Sequence, residues 1–265
     1  MTELVEESSL VGNSGNALEF GDIITYNFGD NPDPSLLRAG REEAFERPAV
    51  VITSSNFNKK TNFAWISPIT KVDKSDKTFI SQIPLPSGLR TYGFVLSDQL
   101  TFVNCSSPNV IDVREKAPDF VKQIIPQFIS QLPVLNNIKE IISLSVRTGV
   151  TSQFYKPDFG HIITYDIYPL DNNRHTPPLA FVVTPLAFNK ETKLAWVCPI
   201  VTNSTGYIYE FPLPDNYSDK GVILLDQLHT LNWKTRNCRP RYQFPFDGTK
   251  IILHRIHEII SSSLE

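Results

Sequence analysis

A chain of 265 residues, 41% of them hydrophobic, is long enough for one large or two ordinary domains with filled cores. Its 25 basic and 28 acidic side chains leave a formal charge of −3, which excludes a global basic field for nucleic acid, so any RNA contact has to be local. No stretch offers the ~18 uninterrupted apolar residues of a membrane span, since the most apolar run, 124–146, is broken by Pro126, Pro133, Asn136 and Lys139.

Residues 1–19 carry several acidic side chains and no apolar segment bounded by Lys or Arg, so a disordered leader is expected rather than a secretory signal. Short apolar and alternating runs bounded by Gly, Pro and Asn then predict strands at 22–28, 48–54, 63–69, 79–84 and 93–103. Between the first two lies a loop, 29–46, that holds Arg38 and Arg41. A helix starts near Pro118, and Pro126 and Pro133 predict that it is kinked or split, with a tail running to Val146. A linker at 149–158 precedes a second set of strands at 161–167, 179–185, 194–200, 207–212 and 221–231. The chain ends in a helix in which Ile251, Ile252, Ile256, Ile259 and Ile260 recur at helical spacing behind a cap at Asp247-Gly248-Thr249.

The two sets are copies of one another. Gly21-Asp-Ile-Ile-Thr-Tyr-Asn27 returns as Gly160-His-Ile-Ile-Thr-Tyr-Asp166, at an offset of 139. Phe57-Asn-Lys-Lys-Thr-Asn-Phe-Ala-Trp-Ile-Ser-Pro-Ile69 returns as Phe188-Asn-Lys-Glu-Thr-Lys-Leu-Ala-Trp-Val-Cys-Pro-Ile200, at 131. Ile83-Pro-Leu-Pro86 pairs with Phe211-Pro-Leu-Pro214, and Gly93-Phe-Val-Leu-Ser-Asp-Gln-Leu100 with Gly221-Val-Ile-Leu-Leu-Asp-Gln-Leu228, both at 128. Four blocks in one order make a tandem duplication, and the falling offset places deletions in the loops of the second copy. The expected class is mainly β with C-terminal helices: two small barrels in tandem, at 20–148 and 159–265.

The Gly-Asp-Ile-Ile strand, Arg47-Pro-Ala-Val-Val51, Ser67-Pro-Ile-Thr70 and the Gly-x-x-x-x-Asp-Gln block together resemble the MazF/PemK toxins of the CcdB-like fold. The resemblance covers nearly all of 20–148 and, more loosely, 159–264. It implies SH3-like barrels with a C-terminal helix, a dimer-like pairing of the copies within one chain, and metal-free cleavage of single-stranded RNA. It also implies a catalytic Arg opening the second strand and Thr closing the third, which are Arg47 and Thr70 here, with Asn27, Arg38, Arg41 and Lys71 as RNA-binding neighbours. Some relatives of this fold poison gyrase instead, so a non-catalytic binder of RNA, of an antitoxin-like peptide or of a topoisomerase is the alternative.

A guanidinium suits phosphate because its planar fork donates several hydrogen bonds and stays charged. In the second copy the position of Arg47 falls to Pro178 and that of Thr70 to Val201, while Thr202 points to the other face of a strand, so the second site reads as dead. The densest basic run, Leu231 to Tyr242, interleaves Trp233 and Tyr242 with Lys234, Arg236, Arg239 and Arg241. That composition fits single-strand RNA binding, and the other reading is a solvated hairpin with Trp233 in the core. His254 and His257, three apart on the last helix, read as surface residues rather than a metal pair. Asp98-Gln99 and Asp226-Gln227, present in both copies, read as structural turns. No metal or cofactor is called for. The expected partners are single-stranded RNA and an antitoxin in the groove between copies, for a monomer that mimics the family dimer. Cys105, Cys198 and Cys238, odd in number and without metal-ligand spacing, point to a reducing, cytoplasmic setting.

Overall fold

The computed structural model describes residues 17–29, 45–73, 82–133, 155–167, 177–215, 217, 219–262 and 264. Residues 1–16, the loop at 30–44 with Arg38 and Arg41, and the stretch 134–154 lie outside the described residues. The first copy runs β1 (Asp22–Asn27), β2 (Glu46–Val51), α1 (Ser55–Thr61), β3 (Phe63–Thr70), β4 (Gln82–Pro84), β5 (Phe94–Leu96), β6 (Thr101–Asn104), β7 (Val110–Lys116) and α2 (Pro118–Ile129). The second runs β8 (His161–Thr164), β9 (Leu179–Val182), α3 (Leu186–Thr192), β10 (Leu194–Val201), β11 (Glu210–Pro212), β12 (Val222–Leu224), β13 (His229–Asn232), β14 (Arg239–Gln243) and α4 (Phe246–Ser261). One sheet has the order β4-β5-β3-β2-β1-β7 with β6 on β3; the other has β11-β12-β10-β9-β8-β14 with β13 on β10. Adding seven to every strand number turns the first order into the second, so the duplication holds at the level of topology.

Several elements depart from the sequence expectation. The strands expected at 93–103 and 221–231 each divide in two around a turn, closed by Gln99 N–H to the Leu96 carbonyl (3.0 Å) and by Gln227 N–H to the Leu224 carbonyl (3.3 Å). β7 and β14 were not foreseen, and neither were the seven-residue helices α1 and α3. α2 is one helix through Pro126, rather than split there. α4 begins at Phe246 with Pro245 as its N-cap, so Asp247 lies in the first turn and is not the cap. Leu18, counted with the leader, is buried, as is Asp158, counted with the linker.

The repeated Phe-Asn-Lys block owes its composition to a buried polar knot. The Thr53 hydroxyl donates to Asn58 Oδ1 (2.6 Å) and accepts the Trp65 N–H (3.0 Å), while Asn58 Nδ2 donates to the Leu18 carbonyl (2.7 Å). Thr184, Asn189 and Trp196 repeat it at 2.6 and 3.0 Å, with Asn189 Nδ2 reaching the Pro157 carbonyl (2.9 Å). Every polar group in such a knot needs its partner, because an unpaired one left in the core costs about 1–3 kcal/mol. Thr61 and Thr192 then tie helix to strand by accepting the Phe63 and Leu194 N–H groups, both at 3.0 Å, while their hydroxyls donate back to the Phe57 and Phe188 carbonyls within the same helices, both at 2.9 Å.

The copies meet in a reciprocal contact. Trp65 Nε1–H donates to the Asp226 carbonyl (2.6 Å), and its counterpart Trp196 donates to the Asp98 carbonyl (2.9 Å). The structural role expected of the two Asp-Gln turns is thus carried by main-chain carbonyls. Beside them Thr230 N–H donates to the Leu100 carbonyl, and Leu100 N–H to Thr230 Oγ1, both at 2.7 Å. One core cluster runs through both copies, including Trp65, Val121 and Phe128 from the first and Trp196, Leu253 and Ile256 from the second.

Candidate functional site

Arg47 sits at the entrance of β2, where Phe28 N–H donates to the Phe45 carbonyl (3.1 Å) and Phe45 N–H to the Gly29 carbonyl (2.8 Å). These bonds join Phe28 and Gly29 to Phe45 and fix the strand end. Across β1, Arg47 pairs with Tyr26. On the other side the β2–β3 register includes Ala49↔Pro68, and two residues further along each strand lie Arg47 and Thr70. Side chains alternate along a strand and match across a pair, so Tyr26, Arg47 and Thr70 leave the sheet on one face. It is the face of Ile24, Ala49, Val51, Ala64 and Ile66, opposite to that of Val50 and Trp65.

The local environment suits an anion. Arg47 is half-buried, and the loss of solvent lowers its pKa from the ordinary guanidinium value; a partly desolvated cation is attracted to phosphate more strongly than one in bulk water. Thr70 is 8% exposed, and its Oγ1 accepts the Val72 N–H (3.2 Å), which leaves the hydroxyl proton to donate elsewhere. Burial raises the Tyr26 pKa, so its phenol stays protonated. Thr70 is held from behind by Gly93, at φ +126°, where a Cβ would lie 2.3 Å from the Thr70 carbonyl oxygen. Gly221 stands against Val201 in the same way, with φ +145° and a distance of 2.1 Å, so this close approach belongs to the fold.

Of the other first-copy candidates, Asn27 supports the strand end, its Oδ1 accepting the Gly29 N–H (2.8 Å). Lys71 is exposed, with Nζ 4.4 Å from the centroid of the Tyr92 ring. Tyr26 and Tyr92 had not been singled out. Pairing partners of Arg47 follow only once the register is known, whereas an aromatic residue before a strand-opening Gly was a readable signal for Tyr92.

In the second copy β8–β9 pairs Thr164 with Leu179, and β9–β10 pairs Leu179 with Ile200. One step beyond stand Tyr165, Pro178 and Val201, the counterparts of Tyr26, Arg47 and Thr70. The position keeps its tyrosine and has no side chain able to bind phosphate at the other two places.

The basic run divides between a turn and β14. Lys234, Arg239 and Arg241 are exposed and Arg236 is half-buried. Arg241 Nε pairs with Asp219 (2.9 Å) and its guanidinium lies 5.5 Å from the Tyr242 ring. Trp233 donates its indole N–H to the Asn189 carbonyl (2.8 Å) and packs against the cluster of Ile163, Ala180 and Leu231. On α4, His254 Nε2 lies 3.3 Å from Glu258, and burial lowers the pKa of His257. Among the described residues no three His, Cys, Asp or Glu are grouped to hold a metal, and no helix is long and apolar enough to cross a membrane. Between the copies a cleft of roughly 530 Å³ is lined by Phe57 and Lys60 of α1, Ile208, Tyr209, and Arg255 and Glu258 of α4.

The family described as PemK-like, MazF-like toxin of type II toxin-antitoxin system matches residues 19–132 and again 158–260. Curated proteins similar to the chain include "Endoribonuclease toxin MazF" of Escherichia coli (strain K12) and "Endoribonuclease MazF" of Escherichia coli O157:H7. Each is 29% identical over 109 residues, which are 40% of this chain and 96% of that protein. Similar solved structures include MazF of Deinococcus radiodurans in crystal form I, 27% identical over 41% of this chain and 99% of that one, with a TM-score of 0.37. The MazE-MazF structure of form III from the same organism is 25% identical over 42% and 100%, with a TM-score of 0.36.

Proposed function

The chain belongs to the PemK-like, MazF-like toxin family of type II toxin-antitoxin systems, and from that premise we propose that it is a metal-independent endoribonuclease of single-stranded RNA with one working site, in its first copy. The observation that carries this reading is the placement of Arg47 and Thr70 on one face at adjoining ends of β2 and β3, where the second copy has Pro178 and Val201. In the reaction the 2′-hydroxyl next to the scissile phosphate attacks phosphorus, giving up its proton. The bond to the 5′-oxygen breaks, that oxygen takes a proton, and the products end in a 2′,3′-cyclic phosphate and a 5′-hydroxyl. Arg47 holds the phosphate and balances the charge that builds on its oxygens, and Thr70 donates a further hydrogen bond. Two relatives named as endoribonucleases support the chemistry.

In the same reading the second copy replaces the partner subunit. The exposed Lys234, Arg239 and Arg241 give it a basic surface for RNA. An antitoxin-like segment would lie in the groove between copies, in keeping with a family of type II toxin-antitoxin systems, and the protein would act as a monomer in the cytoplasm.

The test is incubation with a long single-stranded RNA in EDTA, wild type beside Arg47→Ala, with fragment ends identified. The expected result is discrete fragments with cyclic-phosphate and 5′-hydroxyl ends, formed on the order of 10²–10³-fold more slowly by the variant. Intact RNA from folded wild-type protein would overturn the enzyme reading in favour of a non-catalytic binder, a role that the lost second site already favours.

A further inference from the structure

Next to Thr70 the first copy carries a pair of side chains that the second lacks. Tyr92 is 64% exposed, unusual for a tyrosine so close to a sheet, and Lys71 Nζ stands 4.4 Å from its ring centroid. Both are set by the site itself. Lys71 directly follows Thr70, and Tyr92 precedes Gly93, whose backbone packs on the Thr70 carbonyl while Phe94 pairs with Thr70. The segment before Tyr92 is anchored as well: Arg90 N–H and Thr91 N–H donate to the two carboxylate oxygens of Glu115, at 2.8 and 2.6 Å. An exposed ring on a fixed backbone presents its open face to solvent at little cost in order, and among the described residues it is Lys71 that lies against the ring. At the corresponding places of the second copy stand Lys220 and Thr202, so the aromatic–cation pair occurs only in the copy that also has Arg47 and Thr70.

We propose that Tyr92 and Lys71 form a nucleobase-stacking subsite, in which the ring of Tyr92 stacks on a base adjacent to the scissile phosphodiester and Lys71 binds a neighbouring phosphate. Base–aromatic stacking with a cation on the backbone is the physics of single-strand recognition. The subsite rests on the ribonuclease reading and adds to it a means of gripping substrate that depends little on which base is present.

The experiment uses the full chain and an oligoribonucleotide spanning a cleavage site mapped on the long RNA. Steady-state constants are measured for wild type, Tyr92→Phe, Tyr92→Ala and Lys71→Ala, with thermal melts to confirm folding. Tyr92→Ala is expected to raise KM roughly tenfold or more with kcat little changed, and Tyr92→Phe to keep the wild-type KM. Lys71→Ala is expected to raise KM at low salt and to reduce the salt dependence of binding by about one phosphate contact. Wild-type constants for Tyr92→Ala would overturn the subsite and leave the ribonuclease intact. RNA left uncut by the wild type would overturn both, so the two failures are distinguishable.

Discussion

Arg47 and Thr70 became candidates through the family resemblance, one near the opening of its strand and the other at the end of its own, and pairing explains why they face the same way. Other residues carry physics that no motif announces. The Asp226 side chain is fully buried at the contact between copies, facing the Tyr207 hydroxyl without an aligned hydrogen bond, and Trp65 binds its main-chain carbonyl. Burial pushes its carboxyl up to about 6, opposed by its own backbone N–H and then by Tyr207, with Glu210 adding the smallest effect, an upward push. In the unfolded chain the same group releases its proton near pH 4, so between about 4 and 6 the folded state binds more protons than the unfolded one. Its contribution to stability is therefore most favourable below about pH 4 and is lost as the pH rises through 6, by about 3 kcal/mol. Asp226→Asn, which cannot ionise, should match the wild type near pH 4 and exceed it in urea midpoint at pH 7. A stability difference that stays constant from pH 4 to 7 would show that Asp226 does not titrate in this window.

At the scale of elements, the strands with buried alternate positions were legible, and those without were not. β7 reads Val-Ile-Asp-Val-Arg-Glu-Lys, and its side chains are largely exposed, so no alternation marks it as the strand that pairs with β1. β14 was hidden in the same way, because a strand pairing with β8 at the end of the sheet path tolerates the charges that suggested a binding run. α1 and α3 are too short for helical periodicity, and their signal lies in the caps, Asn62 at φ 58° and Lys193 at φ 64° in the left-handed region. α2 runs against local propensity: Pro126 lies inside it, removing a backbone donor and crowding the preceding turn, yet Val121, Ile124, Ile125 and Phe128 are buried and hold the helix in place. Tertiary burial outweighs the proline there. Pro126 is itself exposed, so Pro126→Ala should raise stability by about 1–3 kcal/mol, read as a higher denaturant midpoint with unchanged slope. A lower midpoint would mean that the ring is required by its surroundings.

For the whole molecule, the reciprocal Trp–Asp carbonyl bonds make the duplication a packing solution as well as a genetic one. Each copy fills the other's core, and the cluster that contains Trp65 and Trp196 is continuous across the contact. Two separate chains would have to associate to bury such a face, whereas joining them makes that contact intramolecular at high effective concentration. Symmetry is then no longer required for function. One copy can then carry Pro178 and Val201 where the other has Arg47 and Thr70, while the core that both supply remains under the same physical constraint. Two consequences are measurable together. Sedimentation should give the mass of one 30.0 kDa chain across about 1–100 µM, because the surface a partner would cover is already occupied. Denaturation should proceed in one transition for both copies, since neither keeps its core alone. Trp65→Phe removes a buried inter-copy hydrogen bond and orphans the Asp226 carbonyl, so it should lower the midpoint by about 1–3 kcal/mol without splitting the transition, and Trp196→Phe should do the same from the other side. Two separate transitions in the wild type would show instead that each copy folds as an independent barrel and that the contact between them is incidental.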